Sequence, residues 1–256
     1  MTTTANFTQR LLQDAGVVPG MRVLDIGCGG GDVSLLVAEL TGDSGTVLGI
    51  DADQHAITAA RARTELHRRS NVSFIHGELS ERIPLLGEFD AVVGRRILMY
   101  LPDPTEVIRR IAQAVRPGGV FAFQESDSTL VPGRTVSMQL HDRVVDWIWR
   151  TVECEGADIH MGFHLPQVMQ DAGLIVDHVR AEPIIQGRGT HHPLHLVIRA
   201  MLPRMIKHGV ASEAEIDMET LERRLVAERP AGAVYVSDMA FGVWGHKPEG
   251  GVHANC

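Results

Sequence analysis

Short apolar runs separated by polar, glycine-bearing stretches set the rhythm of this chain. Arg22–Ile26, Thr46–Asp51, Val72–His76, 89–94 and 119–124 have strand length, are rich in Val, Ile and Phe, and are bounded by turn residues. Between them, residues 31–40, 53–68 and 104–115 place apolar positions at helical spacing, and a short leading helix is predicted over 7–15. Strands alternating with helices imply right-handed crossovers and an α/β fold with a doubly wound, mostly parallel sheet. Farther on, Ala172-Gly173-Leu174 closes a helix and leads into a sixth strand near 176–185. Tyr235–His246 reads as the last strand.

Two insertions depart from that alternation. Residues 134–154 form a long helix, and 190–229 add two more helices between the last two strands. Leu194 to Ile206 is apolar nearly all round, which implies burial or a covered ligand. Residues 211–229 are charged and amphipathic, as an outer layer would be. The single domain therefore carries helical material fit to cap a substrate.

The most informative stretch is Val23-Leu24-Asp25-Ile26-Gly27-Cys28-Gly29-Gly30-Gly31-Asp32, followed by Val47-Leu48-Gly49-Ile50-Asp51. A strand, a glycine-rich turn, a helix start and a second strand ending in an acid make the first βαβ unit of a nucleoside-binding sheet. The glycines let backbone approach a ligand closely, and Asp51 ends its strand where a carboxylate can accept from both ribose hydroxyls. A dinucleotide fingerprint wants a glycine at position 32, where its pyrophosphate uses the helix N-terminus. Asp32 would repel that diphosphate. S-adenosylmethionine, with a sulfonium and an ammonium, suits an acidic rim, and Asp25 adds to the preference.

This region resembles the class I S-adenosylmethionine-dependent methyltransferases, small-molecule branch. The family pattern of strand, GCGxG and closing acid is matched by Gly27 to Gly31 and Asp51. Val72-Ser73-Phe74-Ile75-His76-Gly77-Glu78-Leu79 is similar to the family's adenine-binding segment, with Glu78 where most members have aspartate. Phe89 to Arg95 is similar to the fourth strand and its exit, and Leu101-Pro102-Asp103-Pro104 and Arg116-Pro117-Gly118-Gly119 to the frame of the fifth helix. The resemblance runs from Val17 to Gln124 and loosens beyond. It implies a seven-stranded Rossmann-like sheet with an antiparallel last strand inserted beside the sixth. It further implies a cofactor site from Asp25, Gly27, Cys28, Gly29, Asp51, Ala52, Gly77, Glu78, Leu79 and Arg95, the last through backbone. The leading helix is expected to fold over the cofactor.

Methyl transfer is an in-line displacement, so the protein must align the acceptor and exclude water, with a base needed only if a proton must leave. His141 and Glu125 are the catalytic candidates. At about 100° per residue, Gln139, Asp142, Arg143, Asp146, Arg150 and Glu153 form one polar arc, and His141 falls on the opposite, apolar arc. A core histidine is the equal alternative, and packing the better reading of Trp147 and Trp149. Glu125, Ser126 and Asp127 leave the fifth strand where ligands of open sheets bind; an ion pair of Arg95 or Arg96 with Glu125 is the structural alternative there. His191-His192-Pro193-Leu194-His195 has no firm metal-ligand spacing, and Gly94-Arg95-Arg96 replaces the acidic metal motif of the catechol branch, so no metal is expected. His160 and His164 are placed in a turn before a helix.

Composition changes this picture little. With 256 residues, 44% of them hydrophobic and 22% charged, the chain can bury a sizeable core. A net charge of −8, with Arg61, Arg63, Arg68 and Arg69 as the densest basic run, argues against nucleic acid as a partner. No apolar run reaches membrane-span length, the first residues lack a signal-peptide pattern, and three scattered cysteines make no disulfide framework. A cytoplasmic enzyme with a small-molecule substrate is expected, and a homodimer stays open. Oxygen is the first expected acceptor atom, then nitrogen, then carbon. Binding of the same cofactor for non-methylating isomerase or cyclase chemistry, or as a binding module, is the alternative. A nicotinamide-dependent oxidoreductase is disfavoured by Asp32.

Overall fold

The computed structural model describes residues 3–79, 87–129, 133–187 and 193–249. Seven strands, β1 (Arg22–Ile26), β2 (Thr46–Asp51), β3 (Val72–His76), β4 (Phe89–Arg95), β5 (Val115–Ser126), β6 (Ile175–Gln186) and β7 (Tyr235–His246), form one sheet in the order β3-β2-β1-β4-β5-β7-β6. The first five strands pair in parallel. β7 is antiparallel to both neighbours, inserted beside the sixth strand as expected. The order reverses between β1 and β4, so the switch point lies at the carboxyl ends of those strands.

Helices α1 (Thr3–Asp14), α2 (Asp32–Thr41), α3 (Gln54–Leu66), α4 (Pro104–Gln113), α5 (Gln139–Cys154), α6 (Met161–Asp171), α7 (Leu194–Lys207), α8 (Glu213–Ile216) and α9 (Met218–Glu228), with a single 3-10 turn at Leu98–Tyr100, complete the described elements. One face of the sheet buries Phe7, Leu11, Val33 and Val37 from α1 and α2 against Val23, Val47 and Ala91. The other buries Ile108, Ile111, Leu165 and Met169 against Leu24, Val92 and Phe121, in a core continuous with α5, α7 and α9. Among the described residues no helix is long and apolar enough to cross a membrane.

Several elements differ from expectation for identifiable reasons. The leading helix packs on β6 and β7 and also touches α2 and β5. Phe7 and Leu11 lie so close to Gly242 that an added Cβ there would come within 2.8 Å of Leu11, and Thr8 Oγ1 donates to buried Gln124 at 2.6 Å. β5 starts at Val115, four residues early, because Val115 pairs with Phe89 before Arg116-Pro117-Gly118-Gly119 bulges out and Val120 rejoins beside Ala91.

The long helix starts at Gln139 rather than 134, where Glu228 of α9 accepts from the backbone N–H groups of Leu140 at 2.6 Å and His141 at 3.0 Å. A carboxylate from another helix thus caps α5 and sets its start. Among its described residues the second insertion holds three helices instead of two, because left-handed Asp217 (φ 46°) breaks α8 from α9. On α7 the apolar surface is divided. Leu194, Ile198, Met201 and Met205 are buried, whereas Leu196 and Ile206 are exposed.

Candidate functional site

The turn after β1 is built for close approach. Gly27, Gly29 and Gly31 hold φ of 61°, 50° and 80°, a region disfavoured for residues with a Cβ. The three are needed for different reasons. A Cβ on Gly27 would sit 2.5 Å from Ile97, and one on Gly31 3.0 Å from Phe74. One on Gly29 would meet nothing within 4 Å, so Gly29 is the glycine that opens the loop outward.

Asp51 organises the cradle. Its Oδ2 accepts from the Gly29 N–H and its Oδ1 from the Asp53 N–H, each at 2.8 Å. Each oxygen keeps a further lone pair for a hydroxyl. Gly77 N–H donates to the Asp51 carbonyl at 3.0 Å, and the His76 ring reaches the Ala52 carbonyl at 3.0 Å, so the segment after β3 lies against the end of β2. Glu78 is exposed there, and Leu79 is buried.

Asp25 and Cys28 work from beneath. Asp25 is buried, accepts from Ser34 Oγ at 2.5 Å through Oδ2, and has no hydrogen-bond partner for Oδ1 among the described residues. Burial raises its pKa to about 7, against the opposing hydrogen bond from Ser34 and the nearby Arg95 charge. Cys28 packs with Ile57, Ala60 and Phe74 behind the loop, and burial pushes its thiol pKa up. The thiol stays protonated and unreactive. Asp32 at the head of α2 pairs with Arg63 at 2.6 Å and Arg95 at 3.6 Å.

The exit of β4 divides this cradle from a second space. Arg95 faces Asp32, Ile97 packs on Gly27, and Arg96, Met99 and Tyr100 line a cavity of about 120 Å³. Val145, Ile148 and Trp149 of α5 and Leu194 and Val197 of α7 form its apolar walls, with Ser126, Ser237 and Asp238 on the sheet side. Arg96 is a non-glycine residue at φ 55°, a conformation of local strain often kept for function. Its Nη2 meets Asp238 Oδ2 at 2.6 Å and its Nε donates to Ser126 Oγ at 3.2 Å. Neither arginine makes the alternative ion pair with Glu125: Arg95 pairs with Asp32 and Arg96 with Asp238.

Glu125 and His141 both lie off the described cavity lining. Glu125 is fully buried, and its Oε1 accepts from the N–H groups of Ile97 at 3.0 Å and Leu98 at 2.8 Å, which holds the turn after β4. Its Oε2 has no partner among the described residues, and burial raises its pKa to about 7. His141 is buried with its Nδ1 2.8 Å from Glu228 Oε2 and its ring edge-on to Tyr235. Burial lowers its pKa, with Glu228 opposing.

That setting makes His141 part of the α5–α9 clasp. His141→Ala is expected to lower stability by about 1–3 kcal/mol, with Gln restoring part and turnover per folded molecule within a few-fold of the parent. Melting curves read beside single-turnover rates check this. A loss of 10² or more in turnover without loss of stability would return His141 to the role of base.

Trp147 is core, whereas Trp149 lines the cavity. His160 occupies the N-cap position of α6 without a side-chain capping bond, and His164 lies on the helix itself, 2.7 Å from Asp158. His191 and His192 lie outside the described residues, and His195 on α7 is 3.6 Å from Glu222. Asp238 escaped the sequence reading. Its one signal there is a polar Ser237-Asp238 pair interrupting an otherwise apolar last strand.

A Rossmann-like sheet whose first turn carries three positive-φ glycines and whose second strand ends in a carboxylate has the architecture of a nucleoside-cofactor domain. The methyltransferase domain family matches residues 18–173, more than half of the chain. The chain belongs to that family, within the class I S-adenosylmethionine-dependent methyltransferases. S-adenosylmethionine is the family's cofactor.

Similar proteins include the arsenite methyltransferase of Aquipseudomonas alcaligenes, 33% identical over 116 residues that cover 43% of this chain and 34% of the relative. The demethylmenaquinone methyltransferase of Shouchella clausii is 27% identical over 121 residues, 47% of this chain and 52% of the relative. The chain thus matches between a third and about half of these relatives' length. Among solved structures, a Bacillus halodurans protein described as a methyltransferase aligns at TM-score 0.62, 14% identity, over 95% of this chain and 99% of its own. The cyclase SpnF aligns at TM-score 0.60, 21% identity, over 96% and 82%. At such identities the likeness is one of fold.

Proposed function

We propose that this chain transfers a methyl group from S-adenosylmethionine to a small, mostly apolar acceptor, with oxygen the first acceptor atom, then nitrogen, then carbon. The observation that carries the reading is the position of the 95–100 segment, with the glycine cradle on one side and an apolar cavity on the other. Asp51, Gly27, Gly29, Ala52 and the 77–79 segment would hold the nucleoside, Arg95 backbone the methionine part, and Asp25 and Cys28 would support the loop from below. The bound cofactor supplies an activated methyl group. The protein's share is alignment and exclusion of water, to which α5, α7 and α9 contribute as a cap. Relatives named for arsenite and demethylmenaquinone are in keeping with a small acceptor.

A thermal-shift series followed by a transfer assay tests this. S-adenosylmethionine and S-adenosylhomocysteine are expected to raise the melting temperature, because a ligand of the folded state stabilises it by mass action, whereas NAD and NADP leave it unchanged. The reverse result would sink the cofactor assignment. S-adenosylhomocysteine should then accumulate when the protein is given a panel of small hydroxyl compounds. Cofactor binding with a converted but unmethylated product would favour the isomerase or cyclase reading.

A further inference from the structure

The cavity beside the cofactor cradle carries more than its size. Its walls are apolar except at one end, where Arg96, Ser126 and Asp238 bond to one another. Arg96 Nη2 lies 2.6 Å from Asp238 Oδ2, Arg96 Nε donates to Ser126 Oγ at 3.2 Å, and Ser126 Oγ donates to Asp238 Oδ2 at 3.1 Å. Asp238 Oδ1 accepts from the Met239 N–H at 2.9 Å.

The other polar groups of the lining are engaged elsewhere. Ser237 Oγ donates to the Ile184 carbonyl at 3.0 Å and accepts from Gln186. Tyr100 is hydrogen-bonded by Arg204, and Arg204 is paired with Glu155. Each of these two arginines, on or beside the cavity, is therefore matched by a carboxylate.

On the reading that this cavity holds the methyl acceptor, we infer that the Arg96–Ser126–Asp238 cluster is its polar end and selects a neutral, hydroxyl-bearing ring compound over organic anions and cations. The reason is charge balance. A carboxylate entering would be repelled by Asp238 and an ammonium by Arg96, and in each case the opposite charge is already paired, at a cluster that keeps its arginine partly open to solvent. A hydroxyl can donate to the carboxylate and accept from the guanidinium at once, since Arg offers five N–H groups and two are placed in the cluster. An apolar ring fills the space between α5 and α7, and Trp149 offers it an aromatic wall. Sites built to bond a hydroxyl discriminate strongly against analogues lacking it.

The test is a ligand-observed NMR titration of the full chain with four single-ring probes, phenol, toluene, benzoate and benzylamine, in the presence of S-adenosylhomocysteine. Phenol is expected to bind at least about tenfold tighter than benzoate or benzylamine, and tighter than toluene. Asp238→Asn leaves the Arg96 charge unmatched, so the ratio of benzoate to phenol affinity should rise about tenfold or more. Arg96→Gln leaves Asp238 unmatched, and the benzylamine ratio should rise likewise. A purely structural role for the pair would not move these ratios in opposite directions.

Wild-type preference for a charged probe or for toluene would overturn the inference, as would an unchanged ranking in both folded variants. Binding of no probe while S-adenosylhomocysteine still raises the melting temperature would also overturn it, leaving the cofactor reading intact. Phenol binding with no cofactor stabilisation would overturn the transferase reading and leave the site.

Discussion

Asp51→Ala is expected to weaken binding of S-adenosylmethionine by about 1–3 kcal/mol, a loss of roughly 5- to 150-fold. Two effects combine. The ribose hydroxyls lose a charged acceptor, and the N–H groups of Gly29 and Asp53, each 2.8 Å from an Asp51 oxygen, lose the group that holds the loop in shape. Both N–H groups can turn to water, because Asp51 is only partly buried at the carboxyl end of β2, so the fold should persist. Asp51→Asn should fall between, since one amide oxygen can serve either the loop or the ribose but carries no charge. Calorimetric titration measures the affinity, and unchanged affinity in a folded Ala variant would remove Asp51 from the cofactor site.

The second large effect is one of pH. Glu125 titrates near 4.5 when unfolded and near 7 in the fold, because burial disfavours its charged form. The sign follows from linkage. Below 4.5 both states are protonated and the fold has its full stability from this group; as pH rises toward and through 7 the unfolded chain releases the proton more readily, and stability is lost. The loss reaches about 3 kcal/mol above pH 8. Glu125→Gln has no proton to release, and its amide oxygen can still accept from Ile97 and Leu98. Its stability relative to the parent should therefore climb between pH 4.5 and 8 in urea melts. A difference that stays flat with pH would contradict the buried, proton-holding state. Asp25, raised from 3.8 to about 7 by its own burial, should impose a similar decline that persists in the Gln variant.

The site was unevenly legible. The cradle could be read because its parts are close in sequence and each residue type has a backbone reason: positive φ at Gly27, Gly29 and Gly31, and an acid where β2 ends. Glu125 and His141 were legible as polar residues in apolar surroundings, but their partners were not. Glu125 serves the backbone of residues 97 and 98, and His141 meets a carboxylate on a helix more than eighty residues later. Periodicity reports which face of an element is buried. It does not report what lies opposite.

By itself, the sequence determined the alternation of strands and helices, the glycine-rich turn with an acid at the end of β2, the family and the presence of helices beyond the minimal sheet. These follow from local rules of period, turn chemistry and short-range spacing. Only the tertiary structure decided that α1 packs on β6 and β7, that Glu228 starts α5, and that Arg96 meets Asp238 instead of Glu125. Those contacts join residues distant in the chain. They depend on the antiparallel return of β7 between β5 and β6, which carries Asp238 to the exit of β4, and no local pattern encodes that approach.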